Sequence, residues 1–270
     1  MDTVLHLLAG ILLGGSVNSL ADNLTQGRVL ARPRYSDGTA RPPLAWLGLG
    51  AFLFNRRLPP DNGNEGSAHK LSWRYPLVEL ALAGLLLAAN QAALTGAEVA
   101  PGQQVLWQAY GCVFVLLAVV DIERKRILLL PVIAASLLAL FAAATFPQYT
   151  PGLSSSLAGG VVGGSVFGLV YIGGRVYGRI RGRTRELPTA FGKGDIYVMA
   201  MGGLIVGFPN VLAAIVLAVF LGGAGALAFL LGTRRRGGRI RRFAALPYGP
   251  YILAATYFVM LFPSAIGLHT

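Results

Sequence analysis

Two aspartates, Asp121 and Asp195, each stand at the edge of a long apolar stretch. A carboxylate at membrane depth costs about 2.5 kcal/mol or more, so acids placed there are read as functional, and two of them suggest a pair. Carboxylates held close together cannot both ionise easily. One keeps a proton and serves as general acid, while the other, as base, activates a water. Hydrolysis of a peptide bond is the chemistry that follows. Gly192 and Gly194, in Gly192-Lys193-Gly194-Asp195, let backbone approach a ligand or helix closely and free the second carboxylate to point into a cleft. The competing structural reading makes Asp195 the N-cap of the sixth helix and Asp121 a solvated loop charge beside Glu123, Arg124, Lys125 and Arg126. On the carboxylates alone both readings stay open.

The elements that must position these groups are written in the hydropathy. Hydrophobic residues make up 54% of the chain and charged residues 13%, against about 25% charged in a soluble domain; the mean hydropathy is +0.61. At about 20 residues per span, apolar runs fall near residues 4–21, 76–96, 103–120, 127–146, 154–177, 195–208, 211–232 and 247–266. The expected fold class is therefore all-α, a polytopic membrane protein with about eight crossings. The sixth run is short and is followed at once by Phe208, Pro209 and Asn210, which suggests a tight helical hairpin with the seventh. Asp2 precedes the first run and no Lys or Arg occurs before Arg28, so that run lacks the positive flank of a signal peptide and is read as a helix. Cys112 is the only cysteine, which excludes an internal disulfide and a cysteine-ligated metal site. His6, His69 and His269 are scattered and suggest no ligand set.

Basic residues set the orientation, because Lys and Arg accumulate in cytoplasmic loops. They fall in four groups, Arg28 to Arg74, Arg124 to Arg126, Arg175 to Lys193 and Arg234 to Arg242, and eight crossings place all four on one face. Both termini are then expected outside. The net charge of +12 is accounted for by this rule, so nucleic acid is not expected as a partner, whereas membrane lipid is. Residues 1–21 are read as the first transmembrane helix, 22–73 as a cytoplasmic insert and 74–270 as the transmembrane core. Within the insert, Leu44 to Phe54 is too short to span and is expected at the interface or in a small core, and Leu58 to Lys70 reads as a flexible loop. Glu79 is placed to tune the carboxylate pair or to bond Arg74 or a backbone donor. Pro247, Gly249 and Pro250 shape either a broken helix entry beside the site or a plain helix start. Trp107, Tyr110, Tyr248 and Tyr251 read as interfacial anchors.

Four motifs in order carry a resemblance. The Gly-x-Gly-Asp of Gly192, Gly194 and Asp195, extended by Ala200, Gly203 and Gly207, together with Gly14 to Asn18 (GGSVN), Trp73 to Leu80 (WRYPLVEL) and Leu246 to Tyr251 (LPYGPY), resembles the prepilin peptidases, the type IV leader peptidase family of GxGD intramembrane aspartic proteases. The resemblance spans the whole chain. It implies that Asp121 and Asp195 are the catalytic pair, in a protein of the bacterial inner membrane serving type IV pilus assembly or secretion. The substrate it implies is the N-terminus of a prepilin or pseudopilin, cut on the cytoplasmic side after a short basic leader, commonly between glycine and phenylalanine. Many members also methylate the new N-terminus with S-adenosylmethionine, through the insert after the first helix. That insert often carries two CxxC pairs that bind zinc; residues 22–73 contain no cysteine, so no zinc is expected, and methyltransfer loses support. No cofactor is expected for the peptidase.

Two further departures lie beside the aspartates. The family usually has an Ile-Pro-Asp or Ile-Pro-Asn element where this chain has Ile127, Leu128 and Leu129, and a lysine where it has Tyr197. They support the alternative of a catalytically inactive homologue acting as a structural or assembly subunit of a larger membrane complex. No acid lies near a span centre, which argues against an ion or proton pathway.

Overall fold

Proline and glycine punctuate otherwise continuous Leu, Ala and Val runs, and the helices start and stop at those marks. A computed structural model describes residues 2–28, 31–35, 38–58, 70–95, 99–180, 192–235 and 247–263. Most of the expected loop from Leu58 to Lys70, parts of the third and fourth basic groups, and His69 and His269 lie outside the described residues. The order is α1 (Asp2–Thr25), a 3-10 turn (Pro43–Ala45), α2 (Gly48–Leu53), α3 (Arg74–Thr95), α4 (Pro101–Arg124), α5 (Leu129–Thr145), α6 (Leu153–Ile180), α7 (Lys193–Val206), α8 (Asn210–Arg235) and α9 (Gly249–Leu261). No strand occurs among the described residues, only an isolated bridge between Arg34 and Ala40. Each of the eight apolar runs is helical over most of its described residues. Those in α1, α3, α4, α6 and α8 are long and apolar enough to cross a membrane, and α5 and α9 are shorter apolar helices. The protein is an all-α membrane protein.

The chain divides into two compact units, Met1–Val119 and Val120–Thr270. In the first, α1 lies against α3 through small residues: a side chain at Gly10 would strike the Ala83 backbone, and one at Gly14 would come within 2.5 Å of the Glu79 Cα. Small residues at such crossings let two helices approach until dispersion and polar contacts hold them, since lipid offers no hydrophobic drive to pair. Asn18 fixes the register by donating its Nδ2 to the Tyr75 carbonyl at 3.0 Å. The insert then folds on a small core of Tyr35, Ala45, Ala51 and Leu71. This places part of the Leu44 to Phe54 piece in that core, with Leu44, Trp46, Leu53 and Phe54 left exposed.

Glu79 joins this insert to α3. Its buried carboxylate accepts the backbone N–H groups of Gly48 and Leu49, the latter at 2.8 Å, and so satisfies two donors that α2 leaves open at its first turn. Of the roles expected for Glu79, the structure places it on the backbone donor. Replacing it with Gln leaves one acceptor for two donors and turns an NH2 toward an N–H. Glu79→Gln should therefore destabilise the first unit by about 1–3 kcal/mol, seen as a lower melting temperature in detergent. An unchanged melting temperature would dismiss this account.

The second unit is organised around α7, which contacts α5, α6, α8 and α9. Its small residues make that possible. A methyl group at Gly159 or Gly203 would strike the facing backbone of the α6–α7 crossing, one at Gly163 would come within 2.6 Å of the Met199 carbonyl, and one at Gly202 would meet the Thr256 hydroxyl of α9 at 2.7 Å. Gly207 ends α7 at φ +71, a conformation that favours glycine, and the chain turns through Phe208 and Pro209 directly into α8. The turn is tied to α6 by Ser155, which donates its hydroxyl to the Phe208 carbonyl and accepts the Phe208 N–H on its own carbonyl. The tight α7–α8 hairpin expected from the sequence is thus present. The outer helices α6 and α8 leave large apolar side chains exposed, among them Val161, Leu169, Val216 and Phe220, as a lipid-facing surface requires.

Candidate active site

α4 ends one turn after Asp121. Lys125 takes a left-handed φ of 52 and its N–H caps the Asp121 carbonyl at 2.8 Å, so the chain leaves the helix and runs through Arg126, Ile127 and Leu128 to α5. That turn makes Ile127 a wedge. A side-chain carbon at Gly194 would overlap the Ile127 side chain, and one at Gly249 would lie 3.2 Å from its Cδ1. The GxGD segment and the Pro247–Pro250 segment, 55 residues apart between Gly194 and Gly249, therefore both close on the residues that follow Asp121.

Asp121 and Asp195 are both buried, 6% and 7% exposed. Each has one oxygen fixed by a backbone N–H: Gly249 donates to Asp121 Oδ2 at 3.1 Å, and Gly192 donates to Asp195 Oδ2 at 2.9 Å. Among the described residues no hydrogen bond reaches either Oδ1, so each carboxylate keeps one oxygen for a water or a peptide group. The two carboxylates lie within electrostatic reach of each other. Asp195 is the third residue of α7 and not its N-cap, which is Gly192; from the third position its carboxylate reaches back to the Gly192 N–H, and Asp121, on the competing reading a solvated loop charge, is buried.

The two glycines of the GxGD segment do different work. At Gly194 the close approach to Ile127 leaves no room for a side chain, whereas at Gly192 the nearest neighbour of an added carbon is Asp195 Oδ2 at 3.8 Å, an ordinary contact. Gly192 contributes its N–H, which any residue but proline keeps. Gly194→Ala should cost about 1–3 kcal/mol through overpacking, despite the better helix propensity of alanine, and Gly192→Ala should leave the melting temperature near wild type. Equal effects of the two would contradict this division.

Pro247 and Pro250 flank the segment that presents the Gly249 N–H, with Pro250 in the first turn of α9. Tyr248 holds it from the other side. Its hydroxyl donates to the Ala218 carbonyl of α8 at 2.9 Å, its ring fills the notch left by Gly222, and it lies within electrostatic reach of Asp195. Tyr251 packs in the same way over Gly225. Both tyrosines, expected as interfacial anchors, are seated on α8. Trp107 and Tyr110 are likewise buried. Glu79 belongs to the first unit and is engaged with α2. Tyr197 is exposed. Among the described residues no group of three or more His, Cys, Asp or Glu is arranged to hold a metal ion.

Residues 109–227 match the family model of the type IV leader peptidase family. The matched stretch contains both aspartates and the GxGD segment, and it ends before the Pro247–Pro250 segment. No curated protein and no solved structure matches the chain.

Proposed function

We propose, from the match of residues 109–227 to the model of the type IV leader peptidase family, that the protein is an intramembrane aspartic endopeptidase in which Asp121 and Asp195 are the catalytic pair. The observation that carries this reading is the pair itself: two buried carboxylates, mutually in electrostatic reach, each anchored through one oxygen and open at the other. One aspartate, ionised, takes a proton from a water held between the open oxygens as that water attacks the scissile carbonyl carbon. The other, protonated, gives its proton to the carbonyl oxygen. Collapse of the tetrahedral intermediate then breaks the C–N bond, with a proton delivered to the leaving nitrogen.

The proposed substrate is the N-terminal segment of a type IV prepilin or pseudopilin, presented from the cytoplasmic face where the basic loops lie under the positive-inside rule. Its leader is basic and approaches a face of the same sign, so recognition rests on the substrate's apolar helix and not on long-range charge. Eight crossings and an inner-membrane location belong to the same proposal. Methyltransfer is left out of it, since the insert has no cysteine for the zinc site that accompanies that activity in the resemblance.

Co-expression with a candidate prepilin from the same genome tests the reading through the substrate's intact mass. Loss of the leader mass is the expected result. A second reading, a non-catalytic subunit of a membrane complex, is favoured by the capping bond of Asp195 to Gly192; a well-folded protein that cleaves no candidate prepilin would establish it over the first.

A further inference from the structure

The first unit holds a cavity that the peptidase chemistry does not use. It has a volume of about 480 Å³ and lies where the C-terminal end of α1 and the N-terminal end of α3 meet the insert, with Asp22 and Asn23 contributed by one and Tyr75 by the other. Both helices are candidate membrane spans, so their ends place this cavity at the level where a bilayer presents its headgroups.

The floor is a built network. The Asp22 carboxylate accepts the Arg74 guanidinium at 2.6 Å and the Tyr75 hydroxyl at 2.8 Å, and Arg41 lies 3.6 Å from its second oxygen. Arg41 is buried beneath the cavity, donates to the Arg34 carbonyl and the Tyr75 hydroxyl, and lies over the Tyr75 ring with its guanidinium carbon 4.4 Å from the centroid. Asp22, the only acid among the described residues that line the cavity, is thus already neutralised by two arginines. The rim is different. Arg28, Arg32, Arg34 and Lys70 line it and are exposed, and the side chains of Arg28, Arg32 and Lys70 make no hydrogen bond or ion pair with another described residue. Among the described residues, cations converge on a concave space whose one carboxylate is taken.

We propose that this cavity binds a phosphate-bearing anion, either the headgroup of an acidic phospholipid or free phosphate. Guanidinium groups suit that ligand because their planar forks match phosphate oxygens two at a time. Lys70 adds a point charge to the same lining. The site is independent of Asp121 and Asp195, so its success or failure leaves the peptidase reading untouched.

The test uses the full-length protein purified in a neutral detergent and titrated with dioctanoyl phosphatidylglycerol, dioctanoyl phosphatidylcholine or inorganic phosphate, with bound species counted by native mass spectrometry. The expected result is retention of phosphatidylglycerol over phosphatidylcholine, weakened about tenfold or more in an Arg28→Gln, Arg32→Gln double variant whose melting temperature is unchanged. Displacement of the lipid by inorganic phosphate would support the site with free phosphate as its ligand, and resistance to displacement would support it with the lipid headgroup. Equal retention of the two lipids with no binding of inorganic phosphate would overturn the proposal. So would undiminished anion binding by the double variant, or an equal loss in an Arg175→Gln, Arg179→Gln control on α6, which would mean that net charge alone is being read.

Discussion

Asp121→Asn and Asp195→Asn should each abolish leader removal, lowering the cleavage rate by about 10³-fold or more, and the double variant should be no worse than either single one. The equality follows from the pair acting as one unit. A proton must be held on one carboxylate while the other is free to accept one, and an amide can do neither at the pH of the cell. Asparagine is the informative replacement because its side-chain oxygen still accepts the N–H of Gly249 at residue 121, or of Gly192 at residue 195. The anchors of both segments survive, and with them the start of α7 and the segment leading into α9. Intact-mass analysis of the co-expressed substrate reads the activity, and the melting temperature in detergent confirms that the variants are folded. Cleavage retained by both single variants would end the aspartic mechanism, and a double variant much slower than either would show two independent roles instead of a shared proton.

Much of this arrangement is written locally in the chain. Many of the helix ends follow from apolar runs bounded by Pro101, Pro151, Gly207 and Pro209, which mark starts and stops, whereas the end of α4 at Lys125 carries no such mark. Asp121 and Asp195 stand out because each lies at the edge of a long apolar run. What the sequence withholds is pairing over distance. Glu79 bonds Gly48 and Leu49 across about 30 residues, and nothing in the neighbourhood of either partner announces the other. Asn18 and Tyr75 come from two motifs that are separate in sequence and meet in the first unit. Tyr248 looks like an interfacial tyrosine because an amphipathic ring has the same signature whether it faces headgroups or fills a notch. The notch is Gly222, and a glycine in a long apolar helix gives no sign of which ring will cover it. Ile127 was legible only as the first residue of an element whose proline and polar residue are replaced by Leu128 and Leu129; its role as the wedge beneath Gly194 and Gly249 needs the turn at Lys125 to bring it there.

That wedge makes Gly249 the most exacting position outside the pair. Gly249→Ala should reduce cleavage by about 10²-fold, the scale on which a misplacement of about 1 Å acts, with the protein still folded and inserted. The added carbon would lie 2.6 Å from Asp121 Oδ2, 3.2 Å from its Cγ and 3.2 Å from Ile127 Cδ1. One of the neighbours must yield, and the surroundings decide which. Pro250 restricts the backbone on one side, while the Tyr248 hydroxyl bond to Ala218 and its ring in the Gly222 notch hold it on the other. Ile127 is pressed from behind by Gly194. The carboxylate of Asp121 is what remains free to move, and moving it breaks the 3.1 Å bond from the Gly249 N–H that sets its orientation toward Asp195. With recognition resting, as proposed, on the substrate's apolar helix, the loss should fall on kcat and leave KM nearly unchanged. A Tyr248→Phe change in the same background removes the hydroxyl anchor but keeps the ring, and should restore part of the rate by letting the segment shift instead of the acid. A Gly249→Ala enzyme as fast as wild type would show that the placement of Asp121 does not depend on this segment.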